Sequence, residues 1–287
     1  MESEWVVTVG DDATRAVLDA ADSPEPLGTL ILGHGAGSHR DHPTLLNFSR
    51  QFRRMGLRTV RFNFLYRELQ KGGIDRMPRL MESYGAVIQS VREQNLSGVL
   101  LLGGHSMGGR TATMLAADGL RCDGLVLLGY PLHPAGQPEK LRDAHLSAIQ
   151  DPAICFNGTR DELCEKELMD RVVLNLPRWT MHWVEGADHS FKVQKRSGRT
   201  AEEVLEEIGV ATQRWVEEAV LPYHDNCGTA AGPEQAHRAE SLTGHARADQ
   251  TGPSAPRRDR QAPQAPRSSP LPLLRTCRSR DKRRAIS

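Results

Sequence analysis

The sequence predicts an α/β fold: a doubly wound, mostly parallel sheet with helices on both faces. Short apolar runs, such as residues 99–102 and 124–128, are typical of strands that are buried on both faces of a parallel sheet. Longer stretches with apolar residues at helical spacing separate these runs, and that alternation is typical of βαβ units. Ligands of such sheets bind beyond the carboxyl ends of the strands, so we expect the functional residues there.

The predicted strands begin with a hairpin. Residues 5–9 and 15–18 form two short strands, which are joined by a turn that contains Gly10. Six more strands follow, each a short and largely apolar run, at residues 29–32, 58–62, 99–102, 124–128, 153–157 and 180–184.

The predicted helices lie between and after these strands. Leu45, Phe48 and Phe52 recur at helical spacing in the first helix, and Gly56 is suited to end it. Pro78 is predicted to begin the second helix. Proline lacks an N–H, which costs nothing in the first turn of a helix because the N–H groups there have no acceptor within the helix. The helices are predicted at residues 44–55, 78–94, 111–117, 162–174 and 202–219, with a partly helical segment at residues 139–149.

Composition divides the chain into a folded domain, residues 1–223, and a tail, residues 224–287. The tail carries twelve Lys/Arg against six Asp/Glu, has seven prolines and shows no sustained hydrophobic period. Such a segment cannot bury enough apolar surface to offset its ordering entropy, so we expect it to be disordered. It is either an extension without a function or a basic arm for an acidic partner or a nucleic acid. The domain has 25 Lys/Arg and 30 Asp/Glu, a balance that argues against binding of nucleic acid by the folded part.

The cysteines and the apolar runs indicate in which cellular compartment the protein is expected. Five cysteines, odd in number and without a C-x-x-C pair, indicate reduced thiols rather than disulfides or a zinc site. The acidic first residues lack the apolar core of a signal peptide, and the apolar runs are shorter than the roughly 18 residues that span a bilayer. We expect a cytoplasmic protein that uses no metal or cofactor and does not bind a membrane.

The segment Gly104-His-Ser-Met-Gly108 is the strongest motif, since it follows an apolar strand and precedes a helix. A serine on so sharp a turn has its hydroxyl exposed above the sheet, and the flanking glycines leave room for nearby backbone. The five-residue pattern alone occurs by chance, but in this context it predicts that Ser106 is a nucleophile. We expect the adjacent His105 to point away from Ser106 and to pack beneath the turn.

A serine nucleophile needs a base, and the base needs an orienting carboxylate. Asp161 follows the predicted strand at residues 153–157, and His189 follows the last one, at residues 180–184. The chain order Ser, Asp, His is one of the known orders of such triads. Two other aspartates compete for the carboxylate role. Asp151 precedes a strand and Asp170 falls inside a predicted helix, so Asp161 fits best.

A tetrahedral intermediate also needs hydrogen-bond donors for its oxyanion. One predicted donor is the backbone N–H of Met107, the residue after the nucleophile. The other is expected in the glycine-rich loop at residues 33–37, with Ala36 as the first choice and Gly35 as the second. The alternative, a phosphate-binding loop, is disfavoured because the Lys-Ser/Thr and G-x-G-x-x-G signatures are missing. Three residues near other strand ends are predicted to contact the substrate: Tyr66, Tyr130 and Leu132.

Residues 1–222 resemble the α/β-hydrolases, and within them the small proteins without a lid that are related to dienelactone hydrolases. This group includes bacterial proteins similar to animal testis-expressed and histone-acetyltransferase-complex subunits. The resemblance implies the fold and the triad positions, although Ser106 stands where dienelactone hydrolases use a cysteine. The segments that carry it are His34-Gly-Ala-Gly37, Gly104-His-Ser-Met-Gly-Gly109, Tyr130-Pro-Leu-His133, Gly158-Thr-Arg-Asp161 and Ala187-Asp-His-Ser190.

Together these residues predict a serine hydrolase that cleaves an ester or a thioester of a small soluble molecule. The short segment at residues 130–151 leaves no room for a large lid, so we expect a site that is open to solvent. One alternative is a non-catalytic protein of the same fold that binds a partner or a ligand. Another is lactonase or peptidase chemistry, which uses the same residues.

Overall fold

The computed structural model describes residues 2–228, with side chains described as far as His224. These residues form an eight-stranded sheet of strands β1 (Glu2–Val9), β2 (Asp12–Asp19), β3 (Gly28–Gly33), β4 (Leu57–Phe62), β5 (Val99–His105), β6 (Gly124–Leu128), β7 (Ala153–Gly158) and β8 (Trp179–Val184). The strand order is β1-β2-β4-β3-β5-β6-β7-β8. The pairs β1/β2 and β2/β4 are antiparallel, and all later pairs are parallel. The predicted fold class is confirmed.

Helices cover both faces of the sheet. They are α1 (Pro43–Arg54), α2 (Leu65–Glu68), α3 (Met77–Glu93), α4 (Met107–Ala117), α5 (Lys166–Val173), α6 (Ala201–Trp215) and α7 (Leu221–Gly228), with a π-helical turn at Val216–Val220 between the last two. Within residues 2–228, no helix is both long and apolar enough to cross a membrane.

Neighbouring side chains of the central strands point into two separate apolar cores. Leu30 and Leu101 pack in the core that contains α1 and α6, whereas Ile31 and Leu102 pack in the core that contains α3 and α4. This alternation follows from the pleat of a strand, which sends successive side chains to opposite faces. Because both faces are buried, the strands are nearly continuous apolar runs, as the sequence showed.

The structure differs from the predicted elements in several places. Helix α4 begins at Met107, four residues earlier than predicted, and the short helix α2 was not predicted. The segment at residues 139–149 has only a 3₁₀ turn at Leu146–Ala148, in place of a longer helix. Helix α5 begins at Lys166, four residues later than predicted. The reason is a local turn, in which the Asp161 side chain accepts the N–H of Leu163 and its carbonyl accepts that of Cys164.

The folded region extends past the predicted boundary between residues 223 and 224. Helix α7 crosses it, and Nδ1 of His224 lies 2.7 Å from Oδ1 of Asp123. The predicted disorder of residues 229–287 lies outside the described residues and stays a prediction.

An ion cluster centred on the buried Arg61 ties the loop between β3 and α1 to the sheet. Nε of Arg61, on β4, donates to Asp19 at 2.7 Å, and its Nη1 donates to Asp41 at 2.7 Å and to the carbonyl of Arg40 at 2.9 Å. Burial by itself raises the pKa of Asp19, but the hydrogen bond and charge of Arg61 outweigh it and leave this pKa below its ordinary value. The cluster therefore fixes the far end of the loop between β3 and α1, beyond its glycine-rich part.

Candidate active site

Ser106 lies on the turn between β5 and α4 with φ 52° and ψ −112°, a strained conformation for a residue with a side chain. Its N–H donates to the carbonyl of Leu128 at 2.8 Å. The turn is packed directly against β3, because a Cβ on Gly104 or Gly108 would lie 2.1 Å from the carbonyl oxygen of Gly33. Glycine is therefore required at both ends of the motif by contact with backbone.

The structure brings Ser106, His189 and Asp161 together. Oγ of Ser106 lies 2.9 Å from Nε2 of His189, and Nδ1 of His189 lies 3.0 and 2.9 Å from the two carboxylate oxygens of Asp161. Since the carboxylate accepts, Nδ1 carries the proton and Nε2 is free to accept the hydroxyl proton of Ser106. The Asp161 side chain is fully buried, whereas that of His189 is 20% exposed.

Two further groups hold the Asp161 carboxylate. Nδ2 of Asn157 donates to Oδ2 at 2.9 Å, and the N–H of Leu163 donates to Oδ1 at 2.9 Å. The competing aspartates have other partners: Asp151 accepts from a cysteine thiol, and Asp170 accepts from a lysine and a tryptophan. Sequence reasoning did not identify Asn157, and its only signal was its place at the end of the strand that precedes Asp161.

The glycine-rich loop borders the serine. A Cβ built on Gly35 would lie 3.6 Å from Cβ of Ser106. Among residues 2–228, the backbone N–H groups of Gly35, Ala36 and Met107 have no acceptor. Of the three, Gly35 and Ala36 line the cleft that contains Ser106, whereas Met107 does not. Unpaired N–H groups beside a nucleophile are what an oxyanion hole requires, and the assignment of these three residues as its donors stays a prediction.

Two buried side chains set the shape of this loop. Nδ1 of His34 donates to the carbonyl of Gly35 at 2.8 Å, and its Nε2 accepts the N–H of Phe64 at 3.2 Å. Burial lowers the pKa of His34 to about 4, so the ring is neutral, as this pair of bonds requires. The hydroxyl of Tyr66 donates to the carbonyl of Ala36 at 2.8 Å. With their carbonyls held by these bonds, the loop residues present their N–H groups in a fixed backbone conformation.

An open cleft of about 330 Å³ contains Ser106 and His189, and the loop residues Gly35 and Ala36 form one of its walls. None of the three side chains predicted to contact the substrate lines this cleft. Tyr130 and Leu132 are fully buried and Tyr66 is 3% exposed, so these side chains support the walls of the cleft from within the core.

His105 lines the cleft, contrary to the expectation that it packs beneath the turn. Its Nε2 donates to the carbonyl oxygen of His189 at 2.9 Å, and the two rings lie 5.1 Å apart. Burial lowers the pKa of His105 to about 4, which keeps this ring neutral. His105 therefore ties the backbone of His189 to the turn that carries Ser106.

In the described part of the chain, no three His, Cys, Asp or Glu side chains form a group that could hold a metal ion. The thiols of Cys122, Cys155 and Cys164 are free and buried, and burial raises the pKa of each. They are therefore protonated and lie apart from the cleft.

The motifs and their geometry agree with a match to known sequences. A family model described as an alpha/beta hydrolase domain matches residues 26–217, more than half of the chain. The chain belongs to this alpha/beta hydrolase family. Ser106, Asp161 and His189 all fall within the matched region.

Solved structures of low sequence identity share the fold. An alpha-beta serine hydrolase homologue from Coxiella burnetii has a TM-score of 0.60 at 19% identity, with 73% of this chain and 96% of that chain covered. A serine hydrolase without a lid from Xanthomonas campestris has a TM-score of 0.61 at 21% identity, with 75% of this chain and 94% of that chain covered. A dienelactone hydrolase from Anabaena variabilis has a TM-score of 0.58 at 16% identity, with 77% of this chain and 98% of that chain covered. The resemblance stated from the motifs is confirmed at the level of the fold.

Proposed function

We propose that this alpha/beta hydrolase is a serine hydrolase that cleaves a carboxylic ester or thioester of a small soluble molecule through an acyl-enzyme. One observation carries the proposal: the hydrogen-bond chain from Ser106 through His189 to Asp161 ends in a cleft lined by unpaired N–H groups. A strained serine, an oriented imidazole and preorganised donors are the parts that acyl transfer needs.

In the proposed reaction, Nε2 of His189 takes the proton of Ser106 as Oγ attacks the carbonyl carbon. Asp161 accepts the N–H of the resulting imidazolium and stabilises its charge. The N–H of Met107, with that of Ala36 or Gly35, donates to the oxyanion. His189 then protonates the leaving alcohol or thiol, and a water molecule, activated by the same base, hydrolyses the acyl-enzyme.

The shape of the site supports a small substrate. The cleft is open and measures about 330 Å³, close to the lower end of the range for small-molecule sites. The segment at residues 130–151 packs against the body, with Tyr130 and Leu132 buried, and forms no helical lid. The three buried free thiols are compatible with a reducing compartment, and we propose the cytoplasm as the site of action.

Labelling with a fluorophosphonate probe tests the nucleophile. The wild-type protein is expected to be labelled, and Ser106→Ala to lose at least about 99% of the label because the hydroxyl that forms the covalent bond is gone. Ser190→Ala is the matched control, since Ser190 is an exposed serine in the same cleft and should label normally. Equal labelling of the Ser106→Ala protein would contradict the proposal.

Turnover assays separate the alternatives. Hydrolysis of short p-nitrophenyl esters or acyl thioesters that is lost in Ser106→Ala supports the proposed reaction. Hydrolysis of lactones or peptides alone would move the assignment to those substrates on the same triad. A protein that is labelled at Ser106 but turns over none of these substrates would instead be a non-catalytic binding protein.

A further inference from the structure

A second cavity of about 300 Å³ adjoins the catalytic cleft, between α1, the start of α6 and the loop that follows His189. His42, Thr44 and Ser190 line both cavities, so the two lie side by side and share this wall. Most of the second cavity is apolar, and it is defined by Pro43, Phe48, Phe191, Ala201, Val204 and Leu205. We refer to it as the side pocket.

Phe191, two residues after His189, forms one wall of the side pocket, and its backbone is strained. Its φ is 61°, in the left-handed region that bulky residues avoid. The Asp188 carbonyl accepts the N–H of Phe191 at 2.9 Å, and the Asp188 side chain accepts those of Ser190 and Lys192 at 2.9 and 3.0 Å. The ring meets Phe48 edge-on, with centroids 5.4 Å apart and planes at 86°. Strain of this kind persists where surrounding contacts enforce it, and it clusters at ligand sites.

The side pocket lies where the leaving group of the substrate is expected. The leaving atom must reach Nε2 of His189, because this nitrogen returns the proton to it. Residues 190–192 follow His189 directly and line the side pocket. A leaving group that is protonated by His189 therefore has the side pocket beside it.

We propose that the side pocket binds the leaving alcohol or thiol of the substrate and takes a compact apolar group of the size of one aromatic ring. This inference rests on the proposed function. A volume of about 300 Å³ lies at the small end for ligand pockets, and two aromatic walls at right angles suit a flat ring. The preferred substrates are therefore esters or thioesters of small aromatic or branched alcohols or thiols.

Two acetate esters with different alcohols test this assignment. Ala201 is the exposed first residue of α6 and lines the side pocket, so Ala201→Trp fills it without disturbing the core. In this variant the ratio of kcat/KM for benzyl acetate to that for methyl acetate is expected to fall about 10- to 100-fold. Val210→Trp is the control, since Val210 is 44% exposed on the same helix and lies outside the pocket, and it should leave the ratio unchanged.

A second variant works in the opposite direction. Leu205→Ala enlarges the side pocket and is expected to raise the ratio of kcat/KM for 1-naphthylmethyl acetate to that for benzyl acetate about tenfold. Unchanged ratios in both pocket variants would overturn the proposal. Methyl phenylacetate and methyl acetate differ in their acyl groups and test the opposite assignment. If Ala201→Trp lowers the ratio of kcat/KM for methyl phenylacetate to that for methyl acetate instead, the pocket holds the acyl group and the assignment to the leaving group is wrong.

Binding without turnover separates this inference from the proposed reaction. Benzyl alcohol is expected to bind the Ser106→Ala protein in saturation-transfer difference NMR, and the added Ala201→Trp substitution should weaken that binding at least about tenfold. Binding that persists in a protein without hydrolase activity would support the pocket while the proposed reaction fails. Ester hydrolysis together with binding that Ala201→Trp does not change would overturn the pocket alone.

Discussion

Ser106 and the two other residues of the proposed triad are held in place by different means. Ser106 is fixed by the backbone, because Gly104 and Gly108 pack against Gly33 with no room for a Cβ. Asp161 and His189 lie on loops and are fixed by hydrogen bonds to side chains and to single backbone groups. A change at the turn should therefore act on folding, whereas a change among the loop contacts should act on activity and leave the fold intact.

The largest effect is expected at the turn. Gly108→Ala places a Cβ 2.1 Å from the Gly33 carbonyl oxygen, and neither backbone can move without separating β3 from α4. The free energy of unfolding should fall by more than about 4 kcal/mol, with little soluble protein recovered. Chemical denaturation followed by circular dichroism measures this.

Gly85→Ala is the matched control for that substitution. Gly85 lies inside α3, and a Cβ there would meet nothing within 4 Å. Because alanine favours helix by about 0.5–1 kcal/mol over glycine, this variant should be slightly more stable than wild type. A Gly108→Ala protein as stable as Gly85→Ala would show that the turn is not held by backbone contact.

A smaller effect is expected from the side chain that holds the glycine-rich loop. The pKa of His34 is about 4 in the folded protein against 6.5 in a free histidine, with burial as the main cause. Between these pH values the unfolded chain binds a proton that the folded chain does not. The contribution of His34 is thus fully present above pH 6.5 and is lost as the pH falls toward 4, by about 3 kcal/mol.

Denaturation of the wild type and of His34→Gln at pH 7, 5.5 and 4.5 checks this dependence. The variant should start less stable at pH 7, because the bonds to Gly35 and Phe64 are disturbed, and then lose less stability on acidification. Parallel loss of stability in the two proteins would refute the role of His34 in the pH dependence.

The smallest effect is expected at Asn157, which acts through Asp161. Asn157→Leu leaves one carboxylate oxygen without its side-chain donor, a loss worth about 1–3 kcal/mol. If this loss is felt in the transition state, in which His189 is a charged imidazolium, kcat should fall about 5- to 150-fold while the fold is retained. Stopped ester assays and circular dichroism measure the two quantities.

A double-mutant cycle identifies the route of this effect. In an Asp161→Asn background the carboxylate is already absent, so Asn157→Leu should lower kcat little further. Equal losses in both backgrounds would mean that Asn157 acts on the cleft by another path, such as its bond to the carbonyl of Tyr130.

Much of the site could be predicted because its signals are local in the chain. The turn at Ser106 combines a strand, a short glycine-flanked segment and a helix within about twenty residues, and each has its own pattern. Asp161 and His189 could be chosen because parallel strands end at the same edge of a sheet, which brings distant loops together. Strands β3, β4, β6 and β7 were predicted to within one residue at each end, because burial on both faces gives nearly continuous apolar runs. The hairpin strands β1 and β2 each begin three residues earlier than predicted.

Other features depend on contacts between distant segments. His105 was expected beneath the turn, but the loop that carries His189 offers its carbonyl 84 positions away and draws the ring to the cleft. Tyr130 and Leu132 follow a strand at the correct edge, yet the segment after them folds over and buries both side chains.

The fold class, the turn that carries Ser106 and the choice of Asp161 and His189 as its proposed partners follow from the sequence alone, because they depend on periodicity and on chain order. The three-dimensional arrangement was needed to show which donors hold Asp161, which way His105 points and where the side pocket lies. The position of His105 and the side pocket depend on contacts between segments far apart in the chain, and such contacts leave no periodic pattern in it. The donors to Asp161 lie only two and four residues away, but they follow from the conformation of the loop after β7 and not from a sequence pattern.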